Sequence, residues 1–363
     1  VKGTGFSPYV TSFNQPRALA PEEVSSIQIR PRMLDMRKKS WLIGFALAIS
    51  AVANAQWQVQ DSHTTADLRG IHSVGGGVAW ASGTNGTVLR TLDGGDNWQA
   101  CAVPPGAEKL DFRGIQAFDA NTAIVMSSGK GDLSRLYKTT DGCRTWKLVF
   151  TNPDKDGFWD AVRITGAKTA LMIGDPIPEK ELDRLKIKTY FHFPLYGTTD
   201  FGEKWIRLDT NNLFARSDGD GKLTESIFAA SNSSLLEIKQ HRMIIYASGG
   251  SFPSLGHLEL VENADPLLCK SHCWVWGQSK VPFKPGPTAG VFSFDVRNGD
   301  SADPILVAVG GDYSAPESVE STAATCSRDD KLPRFMTGFL CQLAQAMPHG
   351  YRSAVAYDDE AKA

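Results

Sequence analysis

The sequence has no surplus of positive charge. Its 38 lysines and arginines stand against 40 aspartates and glutamates, a formal charge of −2 with a pI near 6.4, so it lacks the basic footprint that nucleic-acid binding requires. No Gly-x-Gly-x-x-Gly follows a strand and opens a helix, and no two of the six cysteines form a Cys-x-x-Cys pair, which leaves neither a dinucleotide nor a redox dithiol a seat. No cofactor is expected. The apolar run from Trp41 to Val52 falls well short of the roughly 20 residues that a spanning helix needs. What the chain does have is 34 glycines and nine tryptophans in 363 residues, with 42% hydrophobic residues to build a core. That composition belongs to many short strands joined by tight turns, an all-β fold.

Residues 33–55 follow the order of an export signal. Met36-Arg37-Lys38-Lys39 is a basic opening, Trp41 to Val52 an apolar centre, and Ala53-Asn54-Ala55 an A-x-A cleavage site. The mature chain is expected to begin near Gln56 and to run as one domain over residues 56–363, periplasmic or secreted, with no membrane span after cleavage. Residues 1–32, a mixture of Pro, Ser and charge ahead of Met33, read as a non-native or disordered extension. Export places the six cysteines in an oxidising compartment. Sequence alone leaves their connectivity open; Cys101 and Cys143 are the preferred pair, because one follows the first repeat described below and the other lies inside the turn of the second. Cys269, His272 and Cys273 could suggest a metal site, but the rest of a tetrahedral ligand set is not evident, so no metal is expected.

The repeat is carried by Thr91-Leu92-Asp93-Gly94-Gly95-Asp96-Asn97-Trp98, which returns as Thr139-Thr140-Asp141-Gly142-Cys143-Arg144-Thr145-Trp146 and as Thr198-Thr199-Asp200-Phe201-Gly202-Glu203-Lys204-Trp205. A spacing of about fifty residues suits a four-stranded blade. Upstream, Leu68-Arg69-Gly70-Ile71 answers to Phe112-Arg113-Gly114-Ile115, each followed by an alternating strand, and Asn85-Gly86 is a hairpin turn. In such a box the Asp accepts backbone N–H groups, the Gly takes angles other residues avoid and the Trp covers the hairpin. Asp93, Asp141 and Asp200, with Trp98, Trp146 and Trp205, are therefore read as structural, and no catalytic residue is assigned. Farther on the frame weakens. Glu225-Ser226-Ile227-Phe228 and Ala289-Gly290-Val291-Phe292 stand where inner strands of a fourth and fifth blade begin, Ser327-Arg328-Asp329 reads as a degenerate box, and Tyr351 to Tyr357 as the inner strand of a sixth blade. The expectation is a propeller of six or seven blades, truncated at its C-terminal end. Pro176 to Pro194 is an insertion that widens the third blade, Leu258 to Pro282 fits no repeat, and Asp218-Gly219-Asp220-Gly221-Lys222 is a solvated loop without the later ligands of a calcium site.

The Ser/Thr-x-Asp-x-Gly-x-x-Trp pattern is the Asp-box, or BNR repeat. With Val78-Ala79-Trp80-Ala81-Ser82-Gly83 and Gly86-Thr87-Val88-Leu89-Arg90-Thr91, the chain over residues 57–363 resembles the photosystem II stability and assembly factor family and its bacterial relatives, within the sialidase-like superfamily. The resemblance implies an exported, non-enzymatic propeller that binds a protein partner, as a photosynthesis assembly factor does, in or near a membrane or envelope complex. The residues themselves offer a recognition set: Arg69, Arg113 and Arg352 share one repeat position, Trp159, Glu225 and Ala289 fall at the same place in the other blades, and arginine forks suit carboxylate or phosphate, hence an acidic peptide segment or a small anion. Asp67 and Asp111 precede two of these arginines and can instead neutralise them. The alternative is a glycoside hydrolase of the sialidase or glucanase Asp-box type, for which Tyr351 beside Arg352 is the nearest thing to a nucleophile, but no carboxylate pair recurs.

Overall fold

The alternating segments become strands, and the strands fall into four-stranded sheets wound in simple up-and-down order. The computed structural model describes residues 59–182, 187–208, 213–230, 232–262, 272–297, 304–329 and 338–357; the export signal and the extension before it lie outside them. The first sheet is β1 (Leu68–Gly75), β2 (Val78–Gly83), β3 (Val88–Thr91) and β4 (Gln99–Ala100), and the second is β5 (Phe112–Ala117), β6 (Ala123–Ser127), β7 (Arg135–Thr139) and β8 (Lys147–Thr151). In the third, β9 (Trp159–Ile164) and β10 (Ala170–Gly174) are separated from β13 (Leu195–Thr198) and β14 (Ile206–Arg207) by the insertion, where β11 (Ile177–Leu182) and β12 (Ile187–His192) make a hairpin that β15 (Phe214–Ala215) extends. β16 (Glu225–Ser226) and β17 (Leu235–Ile238) share one partner, β18 (Met243–Gly250), which continues into β19 (Ser254–Glu262) and β20 (His272–Lys280) as the fourth sheet. The stretch Leu258 to Pro282, which fitted no repeat, is largely this β19–β20 hairpin. β21 (Gly286–Arg297), β22 (Ile305–Asp312), β23 (Ala323–Arg328) and β24 (Phe339–Leu343) make the fifth.

A separate core fills each gap between successive sheets. Trp80, Phe112, Ile115 and Tyr137 pack between the first and second, Ile124, Met126, Trp159 and Tyr196 between the second and third, Ile173, Phe193 and Tyr246 between the third and fourth, and Leu236, Ile245, Val291 and Phe294 between the fourth and fifth. Sheets that bury both faces against their neighbours and carry their first strands side by side are the blades of a β-propeller. At the last junction the backbones themselves meet: a Cβ on Gly290 would lie 2.4 Å from Gly249 Cα, and one on Gly249 would lie 2.6 Å from Gly290 Cα. This contact lets β18 pair with β21 and joins the two sheets. Residues 351–357 form no strand; they run extended along the fifth sheet, with Arg352 N–H donating to Gly310 O at 2.9 Å and Val355 N–H to Ser293 Oγ at 2.9 Å. Nor is Ser327-Arg328-Asp329 a box: Ser327 and Arg328 end β23, and Arg328 is paired with Glu259 at 3.0 Å.

Candidate functional site

Three inner strands carry the same irregularity, and it decides what faces the axis. β1 pairs Leu68 with Gly83 and Gly70 with Ser82, skipping Arg69; β5 pairs Phe112 with Ser127 and Gly114 with Met126, skipping Arg113. A residue skipped in this way is a bulge, turned out of the regular alternation. β9 pairs Trp159 with Gly174 and Ala161 with Ile173, so the skipped residue there is Asp160, not Trp159. The one-residue offset corrects the recognition set: Trp159 stands where Phe112 does, both fully buried, and stacks on Phe150 at 5.3 Å in the core. Arg352 is likewise apart, an exposed side chain whose Nη1 donates to its neighbour's carbonyl, Tyr351 O, at 2.9 Å.

Arg69 and Arg113 are brought together by acids. Arg113 Nε donates to Asp111 Oδ2 at 2.8 Å, while Arg69 lies 3.6 Å from Asp111 and 3.5 Å from Asp67. The four side chains make an alternating row, with the arginines 19% and 23% exposed. Partial burial strengthens each pairing and fixes the forks in place.

Behind this row a segment of the fourth sheet reaches the other blades. Between β16 and β17 the fourth sheet does not skip one residue but releases residues 227–234, and this excursion crosses to the other blades. Arg113 Nη1 donates to Ala229 O at 3.2 Å, Asn232 Nδ2 donates to Ile115 O at 2.8 Å, and Asn232 Oδ1 accepts from Val162 N–H at 3.4 Å. Ser233 and Ser293 share a hydrogen bond of 2.6 Å. At the root of the excursion Glu225 is fully buried, accepting from Ser248 Oγ at 2.6 Å, Gln278 Nε2 at 2.8 Å and Arg216 N–H at 2.9 Å. Burial pushes its carboxyl above the ordinary range, yet every partner is a donor to a carboxylate, which suits a group that anchors the loop rather than one that exchanges protons with a ligand.

The three boxes sit at the other edge of each blade, between β3 and β4, β7 and β8, and β13 and β14. Their geometry repeats atom for atom. Thr91, Thr139 and Thr198 donate Oγ1–H to Oδ1 of Asp93, Asp141 and Asp200 at 2.8, 2.9 and 2.9 Å, and each threonine accepts the N–H four residues on. The carboxylates then accept from Asn97 N–H, Thr145 N–H and Lys204 N–H at 2.9, 3.0 and 3.0 Å. Hydrogen bonds to the ionised form hold Asp93 and Asp141 down at about 2, through the Asn97 amide and the Thr145 hydroxyl first, and lower Asp200 chiefly through Lys204 N–H. Trp146 and Trp205 close their hairpins nearly buried, and Trp98 donates to Gln60 Oε1 at 3.3 Å. Cys143 stands in the left-handed region at φ 65°, where the first box has Gly95, and is disulfide-bonded to Cys101 of the first blade.

Three other groups singled out in the sequence behave as structure. Burial pushes the Tyr351 hydroxyl above its ordinary value, against a hydrogen bond with Ser353 and the charge of Arg113. Asp218 Oδ1 accepts Asp220 N–H and Lys222 N–H at 3.1 and 2.8 Å, folding its own loop. From the insertion, Tyr190 packs edge-on against Phe214 at 5.4 Å, and Phe214 against Trp276 at 6.3 Å. The Cys269, His272 and Cys273 side chains lie outside the described residues.

No family model and no curated protein matches the chain. Solved structures do. YCF48 from Cyanidioschyzon merolae is 19% identical, with 78% of this chain and 72% of that chain covered at a TM-score of 0.45. A structure of YCF48 bound to D1 peptide is 16% identical over 73% of this chain and 79% of that chain, TM-score 0.33. An ancestral GH74 enzyme is 10% identical over 79% of this chain and 40% of that chain, TM-score 0.41. These likenesses bear on fold alone.

Proposed function

We propose that this propeller is a non-catalytic binding module, exported to the periplasm or beyond, that holds an acidic segment of a protein partner during assembly or stabilisation of a membrane or envelope complex. The observation that carries the reading is the row Asp67, Arg69, Asp111, Arg113 on the inner strands of the first two blades. Two guanidiniums oriented by acids and partly withdrawn from water are suited to a carboxylate approaching from solvent. The boxes support the reading from the other side. Their carboxylates are consumed by their own turns, at the edge of each blade away from this seat. A glycoside hydrolase is less well supported, since Tyr351, the candidate nucleophile, is pushed up rather than activated.

The test is fluorescence anisotropy with a labelled glutamate-rich peptide. Arg69→Ala with Arg113→Ala is expected to weaken binding by about tenfold or more, and added salt to weaken the wild type. Equal binding by the double variant, or release of sugar from sialosides or β-glucans by the wild type, would overturn the proposal. Export is tested separately, by recovering a chain that begins near Gln56 from the periplasm.

A further inference from the structure

Three residues past each inner-strand bulge comes a position at which the blades reach one another. His72 pairs with Trp80, Gln116 with Ile124 and Asp295 with Val307, and each sends its side chain to a backbone N–H of the next inner segment. Ala117 N–H donates to His72 Nδ1 at 3.0 Å, Ile164 N–H to Gln116 Oε1 at 3.0 Å, and Tyr357 N–H to Asp295 Oδ2 at 2.7 Å. These are acceptors, as the place demands. In the third blade the same position, paired with Leu171 of β10, is Arg163. A guanidinium has no acceptor to offer, and Arg163 makes no hydrogen bond or ion pair among the described residues.

The two bonds in the preceding blades also fix which donors are left over. With Nδ1 accepting, a neutral His72 carries its proton on Nε2; with Oε1 accepting, Gln116 turns its NH₂ group the other way. Neither of these donor groups has a protein acceptor among the described residues. Gln116 lies between the other two, since its own neighbour Ala117 serves His72 and its carbonyl is tied to Arg163's neighbour Ile164. Three consecutive blades thus carry, at one repeat position, donor groups with no protein acceptor among the described residues, and the Arg163 charge reaches the His72 ring. Asn232 bridges Ile115 and Val162 one residue back along the strands.

We propose that His72, Gln116 and Arg163 form a binding site for a small monocarboxylate, separate from the acidic-peptide seat at the other side of the excursion. The guanidinium fork offers two parallel N–H groups to one carboxylate, and the imidazole and amide N–H groups complete its shell. The charge of Asp295 acts on Arg163 from the fifth blade, and a second negative charge on the ligand would meet it, so a monoanion is favoured over a phosphate dianion. Burial, with Arg163 second, holds the His72 ring neutral down to about 4, which keeps the tautomer that the site uses.

The test is an NMR titration of the whole chain, labelled at histidine, with sodium acetate at constant ionic strength. Saturable movement of the His72 ring signals is expected with acetate and not with chloride, and occupancy should raise the pH at which His72 titrates. Arg163→Gln should abolish the response; Arg163→Lys, which keeps the charge but loses the fork, should weaken it by about tenfold. Arg69→Ala with Arg113→Ala should leave it unchanged, so this site and the peptide seat can fail independently. An equal response to chloride, an undiminished response in either Arg163 variant, or no movement with acetate would refute the site, the last meaning that water alone satisfies these donors.

Discussion

His72 sets up a pH dependence that the protein's own repeat shows how to remove. In the folded chain its ring is held to about 4, by burial first and by the Arg163 charge second, against an ordinary value of 6.5. The unfolded chain therefore takes the proton first. The stabilisation from a neutral His72 is fully present above 6.5 and is lost as pH falls from there through about 4, a total of about 3 kcal/mol. The second blade has Gln116 at the same place, accepting the next blade's N–H through Oε1 at 3.0 Å, as His72 does through Nδ1 at 3.0 Å. His72→Gln should then keep the bond to Ala117 N–H and remove the titration. Urea unfolding in a carboxylate-free buffer between about pH 7 and about pH 4 should show the wild type losing about 3 kcal/mol more than the variant. Parallel stability curves, or a folded His72 that titrates near 6.5, would refute the reasoning.

The Cys101 to Cys143 bond closes 42 residues between the first two blades, a constraint worth about 4 kcal/mol on loop entropy. Because Cys143 sits at φ 65°, Cys101→Ala with Cys143→Gly should recover about 1 kcal/mol of backbone strain, so that in urea unfolding it is about 3 kcal/mol less stable than the oxidised wild type and about 1 kcal/mol more stable than the reduced wild type. Gly290→Ala has no room beside Gly249 Cα, and should lower the urea midpoint by an amount equivalent to about 1–3 kcal/mol. Trp159→Ala should cost about 3–5 kcal/mol as a core truncation and leave acidic-peptide binding in the surviving folded fraction unchanged, as its place beside Phe150 and Tyr196 requires.

The boxes were legible because everything they need is local. Asp141 finds Thr139 and Thr145 within four residues, so residue order alone specifies the device. The bulge was half legible: Arg69 and Arg113 follow Leu68 and Phe112 in matched phrases, but the third blade has no matching glycine, and aligning by position put Trp159 where the strand pairing puts Asp160. Burial would have been the missing signal, since a tryptophan aligned with Phe112 belongs in the core. The excursion at 227–234 could not be read, because Ala229 and Asn232 meet partners 116 and 117 residues away, and nothing in Phe228 to Ser234 names them. The donor site was hidden for a different reason. His72, Gln116 and Arg163 look unrelated until the pairing of each strand shows that they occupy one position.

The central claim is that box carboxylates brace hairpins at the blade edges while recognition belongs to the inner strands. Asp141→Asn and Arg113→Ala, compared side by side by thermal melting and by acidic-peptide titration, separate those roles. The account predicts a lower Tm with unchanged Kd for Asp141→Asn and a raised Kd for Arg113→Ala. An Asp141→Asn protein that melts as the wild type does but no longer holds the peptide would contradict it.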